Sequence, residues 1–169
     1  MAMTLISRID VANSSNLTHT FSNIPQTYVD LLAIVTGQSA GSGIDNITMY
    51  INGNSTMSNY NNILFRYTQG TGVNGAYVAN SYFNTLSPGQ SSYNIFSGNS
   101  ITYIPNYTNS TNQKGWNTKT GLDANASNAS IVGLFPTTSN ITSPVTSITF
   151  SGYGLYPGAY TTISLYGIS

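Results

Sequence analysis

The chain is built from short segments of β-branched and aromatic residues, each closed by Gly, Asn, Ser or Pro. This pattern is typical of β-strands separated by turns, whereas the 3.6-residue period of an amphipathic helix is almost absent. Only residues 78–86 carry a weak helical signal. The candidate strands are residues 4–11, 17–21, 30–36, 44–52, 63–68, 76–86, 93–96, 101–106, 115–122, 130–135, 147–151 and 161–168.

The clearest strand is residues 44–52 (IDNITMYIN), which alternates between apolar and polar positions. Its inward side is predicted to consist of Ile47, Met49 and Ile51. The segment ends at Asn52-Gly53, a dipeptide that is favoured in the tight turn of a hairpin. Residues 30–36 (DLLAIVT) are apolar without alternation, which predicts a central strand covered on both faces.

The first two candidate strands also show two-residue parity. Residues 4–11 are expected to place one set of side chains on a single face, namely Leu5, Ser7, Ile9 and Val11. In residues 17–21 the corresponding set is Leu17, His19 and Phe21. Both segments therefore fit a sheet with one buried face.

The number and spacing of the strands indicate the fold class. About ten to twelve short strands without intervening helices imply an antiparallel sandwich or barrel rather than βαβ units. Eight or more strands in about 160 residues match a jelly roll, in which two sheets lie face to face. We predict an all-β, jelly-roll-like antiparallel β-sandwich with about 8–12 strands and little or no helix. No linker or repeat divides the chain, so residues 1–169 are expected to form one domain.

Charge is nearly absent. Lys and Arg together number four, Asp and Glu together number four, and charged residues make up 5% of the chain, against about 25% in an ordinary domain. Nucleic-acid binding by phosphate neutralisation needs clustered Lys and Arg, and four scattered bases cannot form such a cluster. No apolar run approaches the roughly 18 residues that a membrane span requires. We therefore expect neither nucleic acid nor a membrane as a partner.

Few side chains are suited to catalysis. The chain has no Cys and a single His, and its acids are Asp10, Asp30, Asp45 and Asp123. A Ser-His-Asp arrangement with His19 and Asp10 stays open, but no nucleophile elbow accompanies it, and a half-buried structural His is the better interpretation. No two Asp lie close enough in sequence to suggest the paired carboxylates of a glycosidase. We predict that the protein is not an enzyme.

The same inventory gives no cofactor or metal site. One His cannot make a zinc site without other donors, and there is no Asp-x-Asp loop for calcium. Residues 70–75 (GTGVNG) match a phosphate-binding glycine pattern by letter, but they lead into a strand instead of opening a helix. We therefore expect no bound metal, cofactor or nucleotide.

Aromatic residues give one candidate interaction surface. Tyr153, Tyr156 and Tyr160 lie in the loop SGYGLYPGAY, and together with Trp116, Tyr107 and Tyr103 they could stack on sugars beside Asn and Thr hydrogen-bond partners. The alternative is that these rings pack between neighbouring subunits or cap the sandwich. The structural alternative is favoured over the glycan surface.

The missing charge also predicts association. Monomeric sheet proteins guard their edge strands with Lys, Pro or inward charges, and soluble domains keep their net charge away from zero. This chain shows neither feature, and its formal net charge is zero. We expect its edges and faces to be covered by partners in a homo-oligomer or lattice.

Four stretches resemble small virion proteins of tailed phages with a β-sandwich fold. They are FSNIPQTYVDLL at 21–32, YING at 50–53, ITYIPNY at 101–107 and ISLYGI at 163–168. The resemblance implies a non-enzymatic component of the virion, without saying which part of the particle it forms. Its partners would be other virion proteins, of the capsid or tail, and copies of itself.

The strand pattern helps to choose among virion roles. Strands begin near Leu5 and run to Ile168, so one compact domain fills the chain and leaves no room for a fibre shaft. This favours a capsid decoration or cement protein that is added in many copies, with a trimer as the expected oligomer. The alternatives are a receptor-binding or carbohydrate-binding head domain of a fibre or baseplate, and a small hydrolase of the host surface.

Overall fold

A computed structural model describes residues 2–11, 18–37, 44–68, 72–79, 83–88, 98–122, 131–152 and 161–169. These residues form twelve β-strands and one short 3-10 turn, Met57–Asn59, so the all-β prediction is confirmed. The strands are β1 Met3–Asp10, β2 Thr18–Phe21, β3 Asp30–Gly37, β4 Ile44–Ile51, β5 Tyr60–Thr68, β6 Gly72–Ala79, β7 Phe83–Pro88, β8 Gly98–Ile104, β9 Gly115–Leu122, β10 Ile131–Ser139, β11 Ile148–Gly152 and β12 Thr162–Ile168.

The strands form two antiparallel sheets that make a β-sandwich, as predicted. The large sheet has the order β1-β12-β3-β8-β9-β10-β5-β6, and the small sheet has the order β2-β11-β4-β7. Without β5, β6, β9 and β10, the two orders become β1-β12-β3-β8 and β2-β11-β4-β7, which is the connectivity of an eight-stranded jelly roll. The chain therefore inserts two pairs of strands, β5–β6 and β9–β10, that widen one sheet only.

The inserted region contains the main departure from the predicted strands. Residues 76–86 were expected to form one segment with a weak helical signal at 78–86. The structure instead has two strands there, β6 in the large sheet and β7 in the small one. The helical interpretation is wrong because residues 78–86 contain the end of one strand and the start of the next. The predicted strand 93–96 lies outside the described residues.

Strand β3 occupies the interior of the large sheet, between β12 and β8. Its inward side chains are fully buried, and they are Leu31, Ala33 and Val35. The prediction that both faces are covered is only half right, because Leu32 and Ile34 on the other face are half-exposed in the single chain. This outer face of the large sheet is treated below.

Strand β4 confirms the predicted alternation, since Ile47, Met49 and Ile51 are all buried. The turn after it is also as expected in its backbone: Asn52 has a φ of 53° and Gly53 a φ of 69°, and Asn54 N donates to Ile51 O at 3.0 Å. The turn does not make a hairpin, however, because β4 belongs to the small sheet and β5 to the large one. It carries the chain from one sheet to the other.

Strand β1 departs from regular parity. The pairing with β12 shifts between Leu5, which is opposite Tyr166, and Ser7, which is opposite Leu165. Such a bulge inserts an extra residue and reverses the faces on either side of it. Leu5 is therefore 51% exposed while Val11 is buried, and the predicted single apolar face of β1 is wrong.

The hydrophobic core lies between the small sheet and the jelly-roll half of the large sheet. Phe21 and Phe150 meet edge to face with their ring centroids 6.4 Å apart. Toward the inserted strands the core continues through Tyr60 and Trp116, whose ring centroids are 5.9 Å apart. Strand β7 of the small sheet also contacts β9 and β10, so the inserted strands are anchored to the sandwich on their inner side.

Candidate functional site

Strand β8 and the inserted strands β5, β9 and β10 bury several polar side chains on their inner face. On β8 and β9 four of the side chains that point inward are small and hydroxyl-bearing, and all four are at least 96% buried: Ser100, Thr102, Thr118 and Thr120. On β5 and β10 the buried positions include Asn62 and Thr137. A sheet that packs on a core ordinarily places apolar residues inside and polar residues outside. These strands reverse that order at several positions.

Hydrogen bonds between the strands satisfy part of this polar interior. The hydroxyls of Thr102 and Thr118 are 2.8 Å apart on neighbouring strands. Asn62 Nδ2 donates to Thr137 Oγ1 at 2.9 Å, and Thr120 Oγ1 donates to the Asn99 carbonyl at 3.0 Å. Buried polar groups are tolerated when they are paired in this way.

The opposite face of the same strands is apolar and open to solvent. The exposed fractions of its eight large hydrophobic residues range from 37% to 79%. We call this surface the outer apolar face, and it consists of Ile63, Phe65, Tyr67, Val73, Ile101, Tyr103, Val132 and Leu134.

Strand register shows that the outer apolar face is continuous. Val132 is paired with Tyr67, which is itself paired with Val73. One row further along, Leu134 is paired with Phe65. Side chains that are directly opposite each other on one face of an antiparallel pair lie in contact range. The residues therefore form one patch across β6, β5 and β10.

The patch extends to β8 across a single charged side chain. On β9, Lys119 is paired with Leu134 on one side and with Ile101 on the other. Among the described outward residues of β5, β8, β9 and β10, Lys119 is the only charged one. The outer apolar face therefore surrounds a single charged residue, the cation Lys119.

The two edges of the large sheet differ. Edge strand β6 (GVNGAYVA) has neither charge nor Pro, and its Val73 is 79% exposed. Edge strand β1 carries an exposed ion pair, in which Arg8 and Asp10 are 2.7 Å apart. The sequence of β6 therefore lacks the residues that protect an edge strand. Strand β1, in contrast, carries charges that oppose edge-to-edge pairing.

Two residues of the predicted aromatic surface, Tyr107 and Trp116, do not lie at the surface of the chain. Tyr107 and Trp116 are buried, with exposed fractions of 0% and 2%. The Tyr107 hydroxyl donates to the Pro25 carbonyl, and Trp116 packs against Tyr60. Because their rings are inside the chain, the prediction that they could stack on a sugar is corrected. Both rings pack inside the chain, whereas the alternative interpretation placed them between neighbouring subunits or as a cap on the sandwich. The predicted Tyr153, Tyr156 and Tyr160 lie outside the described residues.

Among the described rings of that set, Tyr103 reaches the surface, where it is 37% exposed at the border of the outer apolar face. Its hydroxyl donates to Asp30 Oδ2 at 2.6 Å, and the other carboxylate oxygen accepts from Asn106 N at 2.7 Å. The hydrogen bond to the Asp30 carboxylate raises the pKa of the Tyr103 phenol above its ordinary value of 10.0. Asp30 therefore has a structural role in joining the start of β3 to the end of β8.

A second surface feature is a pocket of about 360 Å³ beside the segment between β8 and β9. Its lining contains five residues with side-chain amides and two prolines, namely Asn106, Asn109, Asn112, Gln113, Asn117, Pro105 and Pro136. Buried Lys114 also contributes to the wall. Neutral amides and flat apolar rings suit an uncharged, hydroxyl-rich ligand better than an ionic one.

Lys114 holds the pocket segment together. Its ammonium donates to three backbone carbonyls, those of Asn109 at 2.6 Å, Asn112 at 2.9 Å and Thr142 at 2.9 Å. Burial of this ammonium lowers the pKa of Lys114 below its ordinary value of 10.5. The lysine thus links the β8–β9 segment to the segment that follows β10.

His19 and Asp10, the two residues named for a Ser-His-Asp arrangement, lie on strands of different sheets, and Asp123 lies outside the described residues. His19 is half-exposed on β2, opposite Phe150, and Asp10 lies on edge strand β1 in its ion pair with Arg8. Within the described ranges, no three His, Asp or Glu side chains are grouped so that they could hold a metal ion. The same part of the chain contains no helix with the length and hydropathy needed to cross a membrane.

Comparisons with known proteins add no assignment. No family model matches this sequence. No curated protein matches it at a significant level. The resemblance to phage virion proteins therefore stays a prediction from the sequence.

Proposed function

We propose that this protein is a non-enzymatic structural component of a phage virion, added in many copies as a decoration or cement protein on the capsid shell. The observation that carries the proposal is the outer apolar face. A contiguous apolar patch on a monomeric protein usually measures about 300–600 Å² and marks an interaction site when it is larger. The eight residues of this face together expose roughly 800 Å².

The reversed pattern of the inserted strands supports the same conclusion. The chain buries Thr102 and Thr118 while it leaves Ile101 and Tyr103 open on the same strand pair. Burial of hydroxyls in place of aliphatic side chains does not favour the isolated chain. The arrangement is favourable when a partner covers the outer side, because the large sheet is then buried on both faces.

The fold and the charge are compatible with this role. Jelly rolls are common in viral capsid proteins and in lectins, and the fold alone does not distinguish between these functions. A neutral chain with 5% charged residues leaves few unpaired charges to bury at protein contacts. The chain belongs, in this proposal, to the outer surface of the particle.

The test is addition of the purified chain to phage particles that lack it. We expect saturable binding in many copies per particle and a higher temperature of DNA release from the capsid. An unfolded sample of the same chain is the control for non-specific adsorption. Failure to bind, or binding to the tail alone without any change in the release temperature, would contradict the capsid role.

The pocket favours a second candidate function, a carbohydrate-binding head domain of a fibre or baseplate. Planar amides can donate to and accept from neighbouring sugar hydroxyls, and Asn112 and Asn117 are placed in the pocket wall for such contacts. A glycan array distinguishes the two functions. Binding that is lost in Asn112→Ala and Asn117→Ala, and retained in the matched variant Asn99→Ala on the exposed side of β8, supports the carbohydrate function.

A further inference from the structure

We propose that the outer apolar face is an interface between two copies of this chain, packed face to face about a two-fold axis. This inference rests on the proposed function, because a protein present in many copies meets its own copies at high local concentration. The surface is the outer apolar face, and its occupant is a second copy of the chain. The expected oligomer is a dimer, in place of the trimer expected from the sequence.

The size of the face fits such an interface. An interface of standard size buries about 800 Å² on each partner, which is close to the roughly 800 Å² that the eight residues expose. Three of these residues, Phe65, Tyr67 and Tyr103, are aromatic, and aromatic rings are enriched at the centres of interfaces. Val73 and Val132 are the most exposed members, at 79% and 65%.

The charges on the face are compatible with a second copy. Lys119 lies inside the patch between Ile101 and Leu134. The Asp30 carboxylate lies at its border, hydrogen-bonded to Tyr103. A second copy therefore brings one further Lys119 and no cluster of like charge into the contact. An anionic polymer is a poor partner for this face, because it would meet a single cation, Lys119.

The geometry of a sheet also favours face-to-face packing over pairing at the edge. Two twisted sheets stack about 10 Å apart with their strands roughly 30° from parallel, and their side chains interdigitate. Pairing through β6 would lengthen the sheet but leave Phe65, Tyr67 and Val132 in water. Only stacking removes the outer apolar face from solvent.

Sedimentation of the chain across a range of concentrations, with a matched pair of variants, tests the interface. Val132→Lys places a charge in the centre of the face. Val29→Lys makes the same change at a residue of similar exposure, 60%, that precedes β3 and is outside the patch. We expect a dimer for the parent chain and for Val29→Lys, and a dimer dissociation constant at least about tenfold higher for Val132→Lys.

A second measurement does not depend on a disruptive charge. The chain has no Cys, so Val132→Cys and Val29→Cys each introduce a unique thiol. We expect the alkylation rate of Cys at position 132 to fall at least about tenfold as the protein concentration rises through the dimer range. The rate at position 29 should stay constant. An alkylation rate at position 132 that stays constant over the same range of protein concentrations would overturn the interface.

The outcomes separate this inference from the proposed function. A chain that stays monomeric at all concentrations, or a trimer whose contacts join two different surfaces in a ring, overturns the two-fold interface. Either result leaves the test by addition to particles unchanged. If the chain forms the expected dimer but never binds particles, the interface stands and the capsid role is contradicted.

Discussion

The ring of Tyr28 lies directly against the backbone of Gly167, in the space that any Cβ at position 167 would occupy. Gly167 is buried on β12, between Thr4 of β1 and Leu31 of β3. Gly167→Ala must therefore displace the ring or the strand. We expect it to lower the free energy of unfolding by about 2 to 3 kcal/mol, measured by urea denaturation.

A matched glycine and a double variant test the cause of that loss. At Gly75, on edge strand β6, an added Cβ would be 3.6 Å from the nearest atom, the Phe65 Cδ1, which is an ordinary contact. Gly75→Ala should change stability by less than about 0.5 kcal/mol. Tyr28→Ala combined with Gly167→Ala should cost less than the sum of the two single changes. Additive losses would show that the ring is not the obstacle.

Asn52 is expected to stabilise the chain in two ways, through its backbone and through its side chain. Its φ of 53° is in the left-handed region, and its Oδ1 accepts from Thr146 N at 2.8 Å while its Nδ2 donates to the Pro144 carbonyl at 2.8 Å. Asn52→Gly removes only the side-chain bonds, whereas Asn52→Ala also adds backbone strain. We expect Asn52→Ala to be the less stable by about 1 kcal/mol in thermal unfolding. Equal unfolding temperatures would mean that backbone strain is not a significant factor.

The same residue shows how much of the fold the sequence predicts. Local chemistry predicted the left-handed turn at Asn52-Gly53, because few residues adopt a positive φ without strain. Which strand follows the turn is set by long-range packing, and this is why a change of sheet was mistaken for a hairpin. The bulge in β1 was missed for a similar reason, since it depends on the pairing with β12.

The outer apolar face shows a different limit of prediction from the sequence. Ile63, Phe65 and Tyr67 occupy alternate positions with Asn62, Leu64 and Arg66 between and before them, and this two-residue period separates the two faces of a strand. Alternation does not say which face is inside, because that depends on the rest of the sheet. The ordinary rule of apolar inside places these three residues in the core, and the structure places them outside. For Trp116 the sequence leaves both a sugar-stacking ring and a packed ring open, because its burial depends on Tyr60, which is distant in the sequence.

The hydrogen bond between Tyr103 and Asp30 leads to a prediction about pH. Because the Asp30 carboxylate raises the pKa of Tyr103, Asp30→Asn should lower that pKa toward 10.0. The measurement is NMR titration of ¹³C-labelled tyrosine, in which Tyr103→Phe identifies the resonance by removing it. An unchanged Tyr103 pKa in Asp30→Asn would contradict the assigned cause.

The sign of the effect on stability follows from the raised pKa. A group whose pKa is higher in the folded state contributes its full stabilisation below its unfolded pKa, near pH 10, and loses it as the pH rises through the folded value. The difference in unfolding free energy between the parent chain and Tyr103→Phe should be constant from pH 7 to about pH 9.5 and should shrink above pH 10. A difference that grows above pH 10 would reverse this interpretation.

Lys114 and Lys119 provide a last test, because they are five residues apart but differ in environment. Lys114 is 3% exposed and donates to three backbone carbonyls, whereas Lys119 lies on the open face of β9. Lys114→Met leaves those carbonyls without their donor and should lower the free energy of unfolding by about 2 to 3 kcal/mol. Lys119→Met should change it by less than about 0.5 kcal/mol when measured at concentrations where the chain is monomeric. Equal effects of the two changes would show that the ammonium of Lys114 does not hold the segment between β8 and β9 in place.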